Sequence, residues 1–270
     1  MLEIFKAIFL GIVQGITEWL PVSSTGHMIL VDQFLHLAGS KKFIDTFLVV
    51  IQFGSILAVL ILYFNKLNPF SPRKSPKAKK ATWDLWIKVL IAVLPSGIMG
   101  VLFEDQIDRI FFRPSVVAAA LIIYGVIMIW IENRHKRPGI TKFSQVSYKT
   151  ALLIGLFQCL ALVPGTSRSG STIIGATLLG TSRYIAAEFS FFLAIPTMLG
   201  ASLLKLLKAG FAFTGFEWFI MLLGSLVAFI VSVIVIKFFM SYIKKHDFKA
   251  FGVYRIVLGI IVFIYFAIAG

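Results

Sequence analysis

Apolar residues run along this chain in stretches long enough to cross a bilayer. A spanning helix needs about 20 predominantly apolar residues, and runs of that kind occupy about 46–64, 84–103, 115–131, 186–206, 217–240 and 252–269. These six are read as transmembrane helices. Two other apolar stretches break in the middle. Residues 4–37 are interrupted at Trp19-Leu20-Pro21-Val22-Ser23-Ser24-Thr25-Gly26-His27, and residues 150–181 at Pro164-Gly165-Thr166-Ser167-Arg168-Ser169-Gly170. Each reads as two short helices around a polar turn. Irregular backbone at membrane depth survives only where protein buries it or water reaches it, so both stretches are predicted to be re-entrant helical hairpins.

Composition agrees with a membrane protein: 59% of residues are hydrophobic and 14% charged, against roughly 45–50% and about 25% in soluble domains. The one cysteine, Cys159, excludes a disulfide framework within the chain. The apolar start is expected to belong to the mature fold and not to a cleaved signal, because Gln14 and Glu18 interrupt it and no small-residue cleavage site follows.

The formal charge of +14 is read as a topology signal, with no nucleic acid partner expected. Lys66, Arg73, Lys74, Lys77, Lys79 and Lys80 crowd segment 65–82. Arg134, Lys136, Arg137, Lys142 and Lys149, with His135 in the same loop, fall in 132–149 against Glu132; Lys237, Lys244, Lys245 and Lys249 fall in 237–249 against Asp247. By the positive-inside rule these three segments are cytoplasmic. Segment 104–114, carrying Glu104, Asp105, Asp108, Arg109 and Arg113, then faces outward. Six spans satisfy this scheme only if each hairpin returns to the side it came from.

The two hairpins also resemble each other. Gly11-Ile12-Val13-Gln14 followed by Pro21-Val22-Ser23-Ser24-Thr25-Gly26 matches Gly155-Leu156-Phe157-Gln158 followed by Pro164-Gly165-Thr166-Ser167-Arg168, with one residue of slippage. Three spans lie between them, and an odd number inverts the second copy. The fold class expected is an all-α polytopic membrane protein in a single domain, 1–270. Its two halves, about 1–131 and about 148–270, are expected to be inverted-topology repeats whose interrupted helices meet near the midplane.

That meeting point carries the candidate chemistry. New helices are expected to start near His27 and near Ser171, and helix N-termini attract anions. Hydroxyls of Ser23, Ser24, Thr25, Thr166, Ser167, Ser169, Ser171 and Thr172 surround it, with backbone from Gly26 and Gly165 close by. Arg168 adds a planar fork suited to phosphate oxygens. A charge at the centre of a spanning helix costs about 2.5–3.5 kcal/mol on the insertion scale, so Glu18 and Arg168 need a reason. The competing reasons are function or a structural ion pair joining the hairpins. Gln14, four residues before Glu18 and on its helix face, is placed to orient the carboxylate, to hold a metal's water, or to bond another helix. His27 is the one histidine in apolar surroundings. Asp45 and Glu188 are expected to cap helices, Gly11-x-x-x-Gly15 to permit close helix packing, and Ser55, Ser202 and Ser232 to bond back to their own helices. No zinc-ligand spacing, P-loop or dinucleotide fingerprint is present.

Gln14-Gly15-Ile16-Thr17-Glu18-Trp19-Leu20-Pro21-Val22-Ser23-Ser24-Thr25-Gly26-His27, with Pro164-Gly165-Thr166-Ser167-Arg168-Ser169-Gly170-Ser171-Thr172 and Ala187-Glu188-Phe189-Ser190-Phe191-Phe192-Leu193-Ala194-Ile195-Pro196, closely resembles the undecaprenyl-diphosphate phosphatase (bacitracin-resistance) family. The resemblance implies an enzyme of the bacterial inner membrane that removes the terminal phosphate of a polyprenyl diphosphate, with a divalent cation (Mg²⁺ or Ca²⁺) and a site opening outward. Expected partners are the lipid substrate and the bilayer, with a homodimer left open.

Under that resemblance Ser24 is the nucleophile and His27 its base and then acid, or His27 activates water and Ser24 only binds phosphate. Arg168, the helix N-termini, Ser167 and Thr172 stabilise charge, and Ser23, Thr25, Gly26, Gly165, Thr166 and Ser169 bind phosphate. Glu18 holds the cation, with Gln14 assisting through water; glutamine, where glutamate is the other common choice, leaves Glu18 the only carboxylate. A transporter or flippase for a phosphate-bearing lipid or anion is the alternative. A resemblance to type 2 phosphatidic acid phosphatases fails, because Ile174 stands where their second histidine is needed.

Overall fold

The computed structural model describes residues 1–134, 137–210 and 212–269, with 104, 108 and 269 described for their backbone alone. His135 and Lys136, read above as part of a basic loop, lie outside the described residues, as do the side chains of Glu104 and Asp108.

The described chain is helical, without a strand. Its helices are α1 (Leu2–Thr17), α2 (Ser24–Phe34), α3 (Lys41–Leu62), the single turn α4 (Phe64–Leu67), α5 (Pro76–Phe111), α6 (Pro114–Asn133), α7 (Tyr148–Cys159), α8 (Arg168–Leu178), α9 (Arg183–Ala209), α10 (Gly215–Tyr242) and α11 (Lys249–Ala269). Six of them, α3, α5, α6, α9, α10 and α11, are long and apolar enough to span a membrane. They coincide with the six runs read from the sequence. The protein is a multi-pass membrane protein.

Packing pairs the helices in a repeating way. Helix α1 lies on α10, and α7 on α5; α3 meets α9, and α6 meets α11. Gly11 permits the first of these contacts, since a Cβ there would run into the backbone oxygen of Gly224. Gly155 permits the second in the same way, facing the backbone oxygen of Ala92. Interior serines act as glue between helices. Ser202 donates to Val49 O at 3.3 Å and Ser232 to Gly15 O at 3.4 Å. The expectation that these hydroxyls serve their own helices is therefore corrected, and Ser55 Oγ has no hydrogen-bond partner.

The capping readings are also corrected. Ser40 caps α3, accepting from Phe43 N at 3.1 Å, and Ser182 caps α9, accepting from Ile185 N at 3.3 Å. Asp45 lies inside α3. Glu188 is buried inside α9 and pairs with Lys66 Nζ at 2.7 Å. Serine sits at the N-cap because a short hydroxyl folds back onto the N–H groups that no turn of helix satisfies.

Candidate active site

Each interrupted stretch turns on one serine. Ser23 and Ser167 are the only non-glycine residues with positive φ among the described residues, both at 74°. That conformation is disfavoured for L-residues by Cβ crowding. Both serines are N-caps: Ser23 Oγ accepts from Gly26 N at 3.2 Å and Ser167 Oγ from Gly170 N at 3.1 Å. The new helices thus begin at Ser24 and Arg168, three residues before the positions expected from sequence. Ser23 and Ser167 occupy equivalent places, so the one-residue slippage falls on the prolines before them.

The turns meet at Glu18, which is 7% exposed. Arg168 Nη2 donates to its Oε1 at 3.2 Å. Gln14 Nε2 donates to Oε2 at 2.8 Å, and Ser24 Oγ to the same oxygen at 3.3 Å. Four predicted site residues are thereby joined around one carboxylate. The ion pair weighed as the structural alternative is formed, and Gln14 orients the carboxylate.

Arg168 is held from behind. Its Nη1 donates to Ser190 O at 2.8 Å and to Ser190 Oγ at 3.3 Å, while Thr172 Oγ1 donates to Ser190 Oγ at 2.7 Å. The guanidinium lies over the Trp19 ring, 5.7 Å from its centroid. Thr172 also bonds Arg168 O at 2.9 Å, so its hydroxyl supports the arginine. Ser169 Oγ donates to Glu18 O at 3.3 Å and Leu20 O at 3.1 Å, and lies 3.2 Å from Ser167 Oγ. Thr166 is fully buried and its hydroxyl has no partner.

His27 points elsewhere. Its Nδ1 lies 2.7 Å from Ser23 O and its Nε2 2.6 Å from Tyr254 Oη, with the two rings nearly parallel. A carbonyl can only accept, so Nδ1 carries the proton, and in the neutral ring Nε2 accepts from the tyrosine. The base expected for Ser24 is thus bonded to α11, and the basic group that Ser24 touches is Glu18.

Sequence reading missed Arg255. It is fully buried and bonds both turns at once: Nη1 to Pro21 O at 3.2 Å, Nη2 to Gly165 O and Thr166 O, each at 2.9 Å. The signal was available, because a lone arginine within an apolar span demands partners.

A cavity of about 590 Å³ leads to this cluster. Gln14, Ser24 and Thr25 line it together with apolar Leu10, Met28 and Phe47; Asp32, Lys41, Asp45 and Lys205 also face it, as does Phe112 from the α5–α6 connection. The cavity therefore combines a carboxylate-bound serine, two lysines balanced by two aspartates, and an apolar wall, a form suited to an amphiphilic ligand.

A family model described as bacitracin resistance protein BacA matches residues 7–261. The chain belongs to the BacA family. This BacA-family protein is 74% identical over 266 residues to Undecaprenyl-diphosphatase 1 of Clostridioides difficile (strain 630), covering 98% of this chain and 97% of that one. It is 60% identical over 268 residues to the Undecaprenyl-diphosphatase of Acetivibrio thermocellus, covering 98% of both chains. With the Undecaprenyl-diphosphatase of Enterococcus faecalis it shares 59% identity over 271 residues, covering 99% of this chain and 98% of the other.

Proposed function

We infer that this protein is a membrane phosphatase that hydrolyses undecaprenyl diphosphate to undecaprenyl phosphate and inorganic phosphate, recycling the lipid carrier of cell-wall synthesis in the bacterial inner membrane. Family membership and relatives of that name support the reaction. The observation that carries it is the cluster of Arg168, Gln14 and Ser24 on Glu18 where the two turns meet. The transport reading gains no observation of its own.

In the proposed chemistry Ser24 Oγ attacks the terminal phosphorus, and the bond from that phosphorus to the bridging oxygen breaks. Undecaprenyl phosphate leaves with the electron pair, and water then cleaves the phosphoserine to release inorganic phosphate. Glu18 is within reach of the Ser24 proton; His27 comes into reach when its ring leaves Tyr254, and then acts as base and later as acid. Arg168 neutralises charge on the transferring group, the dominant demand of phosphoryl transfer, and the capped starts of α2 and α8 add their N–H groups. In the competing scheme, water attacks directly and Ser24 only binds phosphate.

Oxygen groups of Gln14, Ser24 and Thr25 on the cavity wall, with Glu18 just behind them, are of the kind that hold a hard divalent cation. Glu18 would supply one carboxylate, Gln14 an amide oxygen, and Ser24 and Thr25 hydroxyls, with substrate phosphate oxygens and water completing the set. Mg²⁺ and Ca²⁺ suit such oxygen sets, Mg²⁺ often binding through one or two carboxylates plus substrate phosphates and water. The ion would neutralise the diphosphate's charge.

We further propose that the halves are inverted repeats. The matched serine turns, the equivalent packing of α1 on α10 and α7 on α5, and the three long helices after each hairpin support this. Basic segments 65–82, 132–149 and 237–249 then lie in the cytoplasm. The cavity, which reaches Phe112 of segment 104–114, then opens outward.

The deciding experiment measures phosphate release from undecaprenyl diphosphate by purified protein in detergent, with and without divalent cation, for the natural chain and Glu18→Ala. Cation-dependent release that Glu18→Ala abolishes is expected. No release from the natural chain would overturn the hydrolase reading, since hydrolysis, unlike transport, needs no second compartment.

A further inference from the structure

A second cavity, of about 530 Å³, lies away from the cluster on Glu18. It forms where the ends of α6, α8 and α10 meet the start of α9. Arg134, Arg137, Arg183, Lys244, Thr177 and Thr181 are among the residues facing it. Arg183 is held by Glu132, whose Oε1 accepts its Nε at 2.9 Å. The other three cations have no carboxylate partner among the described residues: Arg134 lies over the Trp130 ring and Lys244 over the Tyr184 ring, at 4.8 and 5.7 Å from the centroids. The cavity therefore carries a surplus of about three positive charges.

Topology signalling explains basic residues on this side, but not their convergence on a shaped cavity. A backbone bridge fixes the loop at its mouth, with Ile140 N donating to Gly180 O at 3.0 Å and Ser182 N to Ile140 O at 2.8 Å. Gly180, with φ of +89°, leaves open space where a side chain would project. Two threonines of the lining have hydroxyls without a hydrogen-bond partner, and Thr181 is only 3% exposed. Buried hydroxyls ordinarily find partners. The N-terminus of α9, capped by Ser182, adds a partial positive charge.

We propose that this cavity binds a phosphate-bearing anion at the end of the protein opposite the substrate cavity. Cations without a carboxylate partner converge on it, the hydroxyls of Thr177 and Thr181 can donate, and Ile131, Leu178 and Ile243 form an apolar wall. Basic pockets between membrane helices take anionic lipid headgroups in this way, and free inorganic phosphate presents the same oxyanion. The inference is independent of the hydrolase reading and uses none of its residues.

The test uses the full chain in detergent and native mass spectrometry, titrating phosphatidylglycerol against phosphatidylcholine, with inorganic phosphate in a separate calorimetric arm. The natural chain is expected to retain phosphatidylglycerol at least tenfold better than phosphatidylcholine. Removing three cations in Arg134→Gln/Arg137→Gln/Lys244→Gln should weaken retention by ~100-fold, at about fivefold per basic residue. Each single variant should give about fivefold, which keeps the test open if the triple variant fails to fold. Thr181→Val should weaken binding further in a way that bare surface attraction would not. Binding of inorganic phosphate with the same variant sensitivity, without a lipid preference, would identify free phosphate as the source. Equal retention of the two lipids with no phosphate binding, or variants that bind as the natural chain does, would overturn the proposal. Hydrolysis should be unchanged in all these variants.

Discussion

Arg168 and Glu18, 150 positions apart in sequence, are joined Nη2 to Oε1 at 3.2 Å, with both side chains largely buried. The arginine uses two arms, one on Glu18 and one on Ser190 O. A lysine would keep the charge but could not hold both acceptors in a planar fork. Arg168→Lys is therefore expected to insert and fold normally while losing phosphate release by about 10²–10³-fold, the usual cost of removing one pre-placed donor at a developing charge. Near-normal turnover would make the arginine a structural partner alone.

The same pair has a stability consequence. Truncating Glu18 to alanine leaves the guanidinium buried beside Trp19 without its counter-charge, a change worth about 3–5 kcal/mol in other buried pairs. Glu18→Ala should lower the thermal unfolding midpoint in detergent more than the double variant Glu18→Gln/Arg168→Gln, which removes both charges. Both should be inactive. If the double variant unfolded no later than Glu18→Ala, unpaired charge would not be the source of the loss.

Much of this site was legible because membrane helices leave so few polar residues to choose from. The six spans and two interrupted stretches follow from apolar run length, and Gln14, Glu18, Ser24 and Arg168 stand out as the polar residues in and beside the breaks, but the contact of Ser24 with Glu18 in place of His27 does not follow from sequence. The capping serines were harder to place, since a positive φ at Ser23 and Ser167 is decided by tertiary fit and not by local preference. Glu188 was misread for a related reason. An acid near the start of an apolar helix looks like a cap, and only the fold shows Lys66 reaching it from α4. The orientation of His27 towards Tyr254 depends on α11, far away in sequence, and no spacing rule reports it.

Ser24 separates the two proposed routes. If it is the nucleophile, Ser24→Ala should lose turnover by about 10³-fold or more, as removal of a covalent nucleophile does elsewhere. Rapid acid quenching of the natural chain with terminally labelled substrate should then trap label on Ser24. Substantial turnover in Ser24→Ala would leave direct attack by water.

Tyr254 tests whether the ring position of His27 is a resting one. The phenol caps Nε2, the nitrogen needed to accept a proton. Tyr254→Phe is expected to keep turnover within about threefold of the natural chain, whereas His27→Ala should lose ~10²–10⁴-fold, the range for general acid–base groups. Equal damage from the two substitutions would mean that His27 acts where it now sits, fixing the Ser23 carbonyl.

Arg255 provides the most severe test of the idea that the two turns work as one unit. Among the described residues no other side chain bonds to the backbone of both, and its three acceptors, Pro21 O, Gly165 O and Thr166 O, are carbonyls that lie next to the serine turns. In a water-poor interior each orphaned carbonyl costs about 1–3 kcal/mol, so Arg255→Met should destabilise the fold by several times that of an ordinary exposed substitution. Arg255→Lys can satisfy one turn but not both, and should recover part of the thermal stability while leaving kcat depressed. That split matters, because a purely structural arginine would restore activity in step with stability. Recovery of both together in Arg255→Lys would show that the turns need no common tether for turnover.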